Sequence, residues 1–283
     1  MNTSVSVVTG ATSGIGLEAA CGLARAGTTV VVVSRTRERG EAACRRIAAA
    51  GGTGLLEIAD LSSLAQVRAL ADRLGRRFEA IHLLVNDAGL YCHDLERSAD
   101  GFELTMAVNH LAPFVLTNRL LPALRAGRAR VVNVASDAHR AARLRRAPLD
   151  QILRGEAPDF RFRGVVAYCD SKLANILFTT ELHRREQAHG LTALAVHPGA
   201  VATRLWNRNQ DLLSRIVRLA KPFMLSSARS GAIIARLATD TALAGSGGAY
   251  FHKARPVTPS TDAQDAALAE ELWRVSTEVT DAV

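Results

Sequence analysis

Lysine, aromatic side chains and long apolar runs are all scarce in this sequence, and each scarcity removes a class of function. Of its 35 basic residues only three are lysine, at positions 172, 221 and 253, and the other 32 are arginines scattered along the chain. A net charge of +8 and a pI near 10.0 would suit a polyanionic partner. Nucleic-acid binding, however, calls for a basic stripe interleaved with stacking side chains, or a recognisable module, and aromatics make up only 5% of the residues. The charge reads as compositional bias, and no nucleic-acid partner is expected. No apolar run is long enough to cross a bilayer, and Met1 to Val5 passes directly into a strand pattern without a basic region or cleavage signal. The expectation is a cytoplasmic protein with no membrane attachment. Four cysteines (Cys21, Cys44, Cys92, Cys169) lack the paired spacing of a disulfide framework or a cysteine-bound zinc, which fits a reducing compartment. No low-complexity stretch marks a linker, so the 283 residues read as a single domain.

What is present is a regular alternation. Val5 to Val8, Thr28 to Ser34, Gly54 to Ile58, Ile81 to Val85, Arg130 to Val134 and Thr192 to Val196 are short apolar or β-branched runs of the kind that form buried parallel strands. Helix-like stretches separate them, including Arg37 to Ala50 and a run from Tyr168 closed by Gly190. Ser226 to Thr239 reads as a further helix, Ala249 to Phe251 as a last short strand and Asp262 to Ser276 as a terminal helix in which Trp273 packs. Strand and helix alternating in this way predict an α/β fold with a doubly wound parallel sheet.

The first strand is followed by Thr9-Gly10-Ala11-Thr12-Ser13-Gly14-Ile15-Gly16 and then a helix. Glycines there let the backbone approach a pyrophosphate, and the helix start offers unpaired N–H groups to the anion. The spacing differs from Gly-x-Gly-x-x-Gly, so a purely structural turn is the competing reading. At the end of the second strand stands Arg35 rather than a carboxylate, which suits the 2′-phosphate of NADP(H) better than the ribose of NAD. Glu38 is the acidic competitor but falls in the next helix. Asp60, before Leu61, either touches adenine or serves as a loop cap. Asn86-Asp87-Ala88-Gly89 provides a small flexible backbone at a strand end, Asn109 precedes Pro113, and Ser136 lies just past a strand, where ligand crevices of such sheets form. Tyr168 and Lys172, four residues apart on one helix, pair a phenol with an ammonium. A nearby cation favours the tyrosinate, so this pair can exchange protons in carbonyl reduction or alcohol oxidation. Alone, the pair would be an ordinary surface contact.

Taken in order, Thr9-Gly-x-x-x-Gly-Ile-Gly16, Asn86-x-Ala-Gly89, Asn109, Ser136, Tyr168-x-x-x-Lys172 and Pro198-Gly199 resemble the short-chain dehydrogenase/reductase superfamily over nearly the whole chain. Val108-Asn109-His110-Leu111, Ser171-Lys172-Leu173-Ala174-Asn175, His197-Pro198-Gly199, Gly248-Ala249-Tyr250-Phe251 and Leu272-Trp273 resemble its retinol-dehydrogenase-like branch. The resemblance implies a Rossmann-type, mostly seven-stranded parallel sheet with helices on both faces. It also implies a catalytic tetrad of Asn109, Ser136, Tyr168 and Lys172, with no metal required. Tyr168 would exchange the proton, Lys172 would lower its pKa and bind the nicotinamide ribose, Ser136 would orient the substrate oxygen, and Asn109 would hold a water. Gly10, Ser13, Gly14, Ile15, Gly16, Arg35, Asp60, Leu61, Asn86, Ala88 and Gly89 would bind the cofactor, with Pro198, Gly199, Val201 and Thr203 at its nicotinamide end.

The implied function is reduction of a ketone or aldehyde on a bulky apolar substrate by NADPH. The rivals are the same site working oxidatively on an alcohol and a non-catalytic NADP sensor. Asp87 stands where the family usually has asparagine, and the branch's frequent N-terminal membrane segment has no counterpart here. Residues at about 137–166 form an insertion carrying seven arginines, read as solvated charges or a lid. If it packs on the Tyr168 helix it would block the dimerisation seen in many relatives, so both a monomer and a homo-oligomer are compatible with the sequence. The stretch from about 203 to 226, with Leu205, Trp206, Ile216 and Phe223, is read as an apolar substrate lid.

Overall fold

The computed structural model describes residues 4–157, 163–200 and 225–281. Strands β1 (Val5–Thr9), β2 (Thr29–Ser34), β3 (Thr53–Ile58), β4 (Leu83–Asn86), β5 (Arg130–Val134), β6 (Thr192–His197), β7 (Tyr250–His252) and β8 (Arg255–Pro256) form one sheet. Their order is β3-β2-β1-β4-β5-β6-β7-β8. The first seven are parallel, with Val5 opposite Thr29 on one side of β1 and Ser6 opposite Leu83 on the other. The sheet therefore has eight strands where the sequence pointed to seven. The extra one is a two-residue antiparallel return of β7, Phe251 facing Pro256, too short for any periodicity to reveal. The chain winds outward from β1 to β3, then resumes on the other side of β1 with β4. That reversal between β1 and β4 is where ligands of open α/β sheets bind.

Alternate residues of the buried valine runs enter opposite cores, as the two-residue period of a strand requires. Val7, Val31, Leu84 and Val131 face one apolar cluster, and Val8, Val30, Val32, Val85 and Val132 face the other. Helices α1 (Gly14–Arg25), α2 (Arg37–Ala49) and α9 (Ser227–Thr239, capped by Ser226) cover the second face. The first is covered by α3 (Leu64–Arg77), α4 (Leu104–Met106), α5 (Ala112–Arg119), α6 (Leu121–Ala126), α8 (Gly164–Glu186) and α10 (Ala266–Asp281). A π-turn at Ala107–Leu111 joins α4 to α5 just ahead of Pro113. The terminal helix begins four residues later than the sequence suggests, because Asp262–Gln264 forms a 3₁₀ turn and Asp265 accepts the Leu268 N–H at 2.9 Å.

Most of α8 is buried around its whole circumference, which amphipathic spacing alone would not predict. Its outer side is roofed by α10, whose Trp273 packs edge-on against Phe114 at 5.1 Å and at a 30° tilt against Phe178 at 5.8 Å. The described part of the insertion, two 3₁₀ turns and α7 (Leu149–Arg154), is tied down rather than solvated. Asp170 of α8, completely buried, accepts the Arg143 N–H and pairs with Arg146. Arg145 pairs with Asp262 and Asp265, and Arg140 donates to the Thr258 carbonyl. Among the described residues no helix is long and apolar enough to cross a membrane.

Candidate active site

A cleft of about 1400 Å³ runs along the C-terminal ends of the strands, across the point where strand order reverses. At one end the turn after β1 forms its floor. Gly10 has φ +72°, in the left-handed region, and a Cβ there would lie 2.8 Å from the Ala88 nitrogen. Thr9 ties the turn to the next loop, its hydroxyl accepting the Ala88 N–H at 3.2 Å. Ser13 occupies the N-cap of α1 without using its side chain as a cap. Gly10, Ser13, Gly14 and Ile15 line the cleft, whereas Gly16 sits just behind it. Its N–H is accepted by the Asp87 carboxylate, and a Cβ at Gly16 would come within 2.5 Å of Asp87 Oδ2.

Arg35 lines the same end, together with Arg39 from the first turns of α2. Arg37 points elsewhere and pairs with Glu41 at 3.6 Å, and Glu38 stays in the first turn of α2. Asp60 and Leu61 also line the cleft, but Asp60 Oδ1 already accepts the Ser62 N–H at 2.9 Å and hydroxyl at 2.8 Å, the capping alternative. Of the loop after β4, Asp87, Ala88 and Gly89 face the cleft. The Asn86 side chain turns into the sheet instead, donating to Asn133 Oδ1 at 2.8 Å and Thr117 at 3.3 Å.

At the other end three elements, the strand end after β5, α8 and the π-turn, bring the four candidate residues together. Ser136, just past β5, and Tyr168 of α8 share a hydrogen bond between their hydroxyls. Ser136 also accepts the Ala138 N–H at 3.2 Å, so the capping and the substrate-facing readings of this serine hold together. Lys172 is buried, its ammonium donating to the Val134 carbonyl at 2.9 Å and lying 5.6 Å from the centre of the Tyr168 ring. Asn109, in the π-turn, does not face the cleft. Its Oδ1 accepts the Leu90 N–H at 2.8 Å and its Nδ2 donates to the Leu90 carbonyl and Ser171, both at 3.0 Å. Gly89 separates Asn109 from Lys172, with room for no larger side chain without crowding Asn109 Oδ1.

Charge at this end is set by burial. Burial pushes the Tyr168 hydroxyl well above its ordinary pKa, and the Ser136 hydrogen bond only partly opposes it. Lys172 was expected to lower that pKa. Its ammonium is directed to Val134 rather than to the phenolic oxygen, and burial lowers its own pKa to about 8, opposed by the charge of Asp87. Asp87 in turn is raised to about 7 by burial, with Lys172 and the Gly16 N–H opposing.

Several lining residues escaped the sequence reading. Leu90, Leu104, Val108, Ala138 and Val165 make the wall beside Ser136 and Tyr168 apolar, and the buried Tyr91 stands edge-on to Tyr168 at 6.2 Å. Arg39 carried a signal, since it is a second arginine just past Arg35, in the first turn of α2. Pro198 and Gly199 line the cleft past β6. Val201, Thr203 and nearly all of the expected 203–226 lid lie outside the described residues.

The cleft fits a dinucleotide: an open helix start with close-approach glycines for the pyrophosphate, guanidinium groups at one end and a hydroxyl pair with a lysine at the other. Known proteins agree. Residues 4–147 match the family model for short chain dehydrogenases. The chain is 38% identical to retinol dehydrogenase 12 of Mus musculus, over 97% of this chain and 85% of the relative. A solved structure of an uncharacterised protein from Mycobacterium paratuberculosis is 34% identical, with a TM-score of 0.77 covering 98% of this chain and 93% of that one. A blue fluorescent protein from a metagenomic library, solved in complex with NADPH, is 25% identical with a TM-score of 0.69, covering 89% and 96%. The chain thus belongs to the short-chain dehydrogenase/reductase family, in its retinol-dehydrogenase-like branch, and is a nicotinamide-dependent oxidoreductase.

Proposed function

We propose that this oxidoreductase uses NADPH to reduce a ketone or aldehyde on a bulky apolar substrate to the alcohol. The observation that carries the reading is one cleft ending in Arg35 and Arg39 on one side and in the Ser136–Tyr168 hydroxyl pair on the other. Two guanidinium groups suit a 2′-phosphate, and Leu90, Leu104, Val108 and Val165 suit an apolar substrate body. When bound, the cofactor supplies the hydride. Ser136 donates a hydrogen bond to the substrate oxygen, and Tyr168 protonates that oxygen as negative charge develops on it. A phenol whose pKa is raised stays protonated throughout the physiological range, ready to donate to the far more basic developing alkoxide. Lys172 fixes the floor beneath the nicotinamide end through Val134, and Asn109 holds the Gly89–Leu90 backbone against α8 through Ser171.

The same residues run backwards serve alcohol oxidation, which the name of the mouse relative favours. Initial rates with NADPH and carbonyl, and with NADP and the matching alcohol, separate the two. Tyr168→Phe should reduce turnover by about 10²- to 10⁴-fold while NADPH binding, followed by fluorescence, persists. Near-normal turnover in that variant overturns the mechanism. Among the described residues the four cysteines form no disulfide, which supports a reducing, cytoplasmic setting. The roofing of α8 by α10 and the insertion supports a chain that works without a partner across that face.

A further inference from the structure

At the edge of the cleft, which His197 lines, three side chains with no part in that chemistry converge at the ends of adjacent strands. Asp137 follows Ser136 beyond β5, His197 ends β6 and His252 ends β7, and the strand register puts the two histidines opposite each other. One ligating atom from each lies within 4.8 Å of the other two. His252 Nδ1 is 2.9 Å, and His197 Nε2 3.7 Å, from the same oxygen, Asp137 Oδ2. Two donors bound at about 2.0–2.1 Å to a tetrahedral zinc stand about 3.3 Å apart, a spacing these two distances bracket.

The carboxylate is oriented from behind. Asp137 Oδ1 accepts the hydroxyl of the buried Tyr250 at 2.8 Å, the kind of outer hydrogen bond that aims a metal ligand. A third histidine nearby, His139, is engaged on both sides, by the Ser136 carbonyl at 2.7 Å and by the Ser260 N–H at 3.0 Å. Side-chain exposures of 38% for Asp137 and 39% for His252 leave an entry path and room for water ligands.

We propose that Asp137, His197 and His252 bind one divalent transition-metal ion of the zinc class, completed by water. Two imidazoles and one carboxylate favour zinc, cobalt, nickel or copper over magnesium and calcium, which take oxygen ligands. Bound there, the ion ties the Ser136–Asp137 turn to the His197–Pro198 turn, which are two walls of the cleft.

Titration calorimetry of the full chain, freed of metal by a chelator and then given zinc chloride, tests this. One ion should bind per chain and raise the unfolding temperature. His252→Gln and Asp137→Asn should each weaken binding by at least about tenfold, with Tyr250→Phe weakening it less. Cobalt(II) at the site should give the visible bands of a four-coordinate ion, lost in His252→Gln. The absence of zinc binding overturns the proposal. So does equal affinity in correctly folded His252→Gln and Asp137→Asn, which would mean the ion is held by other histidines or cysteines.

Discussion

The two ends of the cleft are built by different means. The end beneath Arg35 is mostly backbone: a glycine turn, a helix start and a strand end close together in the chain, whose conformation is dictated locally. The end around Tyr168 is mostly side chain, gathered from the π-turn, the strand end after β5 and α8, and its properties come from burial. A backbone-built site is robust to changes of charge and readable as a motif. A side-chain-built site takes its pKa values from everything packed around it.

This contrast can be broken from the phosphate end. Replacing Arg35 and Arg39 together with alanine should raise the KM for NADPH by about 10²-fold or more, since a charged hydrogen bond contributes about 1.5–3 kcal/mol. The kcat should be nearly kept and the KM for NADH little changed, which steady-state rates with both cofactors would show. Equal losses in kcat would mean that the two ends are not separable.

Behind the chemical end, His110 is buried with its pKa lowered to about 3. The unfolded chain takes up that proton near the ordinary value of about 6.5, so the unfolded state binds more protons in between. Stability is therefore complete above that value and falls as pH drops toward 3, by up to about 1.4 kcal/mol per pH unit from this group. Urea midpoints across this range should show a steeper acid slope for the native chain than for His110→Gln. A parallel slope assigns the acid sensitivity to other groups.

The smallest effect sharpens the comparison where the ends meet, at Asp87, which accepts the Gly16 N–H and raises the pKa of Lys172. Asp87→Asn keeps a hydrogen-bond acceptor but removes the charge. Lys172 should then lose its proton at lower pH, moving the alkaline limb of the kcat/KM profile downward. An unmoved limb would assign it to another group.

Much of the architecture was readable from residue order. The valine runs predicted buried parallel strands because strands covered on both faces have no polar side to show, and the glycine turn after β1 pointed to the proposed phosphate end. β8 was not readable, since two residues carry no period. The arginines at 140, 145 and 146 read as bias because their partners, the Thr258 carbonyl and the acids at 262, 265 and 170, lie outside their own segment.

By itself, then, the sequence determined the alternation of strand and helix and the glycine turn after β1, and it singled out Tyr168 and Lys172 as the proposed acid and its lysine. Those depend on local spacing and on chemistry that a residue carries with it. Tertiary structure alone decided that Lys172 points at Val134, that burial raises the Tyr168 pKa, that Asp170 anchors the insertion, and that Asp137, His197 and His252 meet. Each of these depends on burial or on strand ends far apart in the chain, and neither leaves a periodic trace in the order of residues.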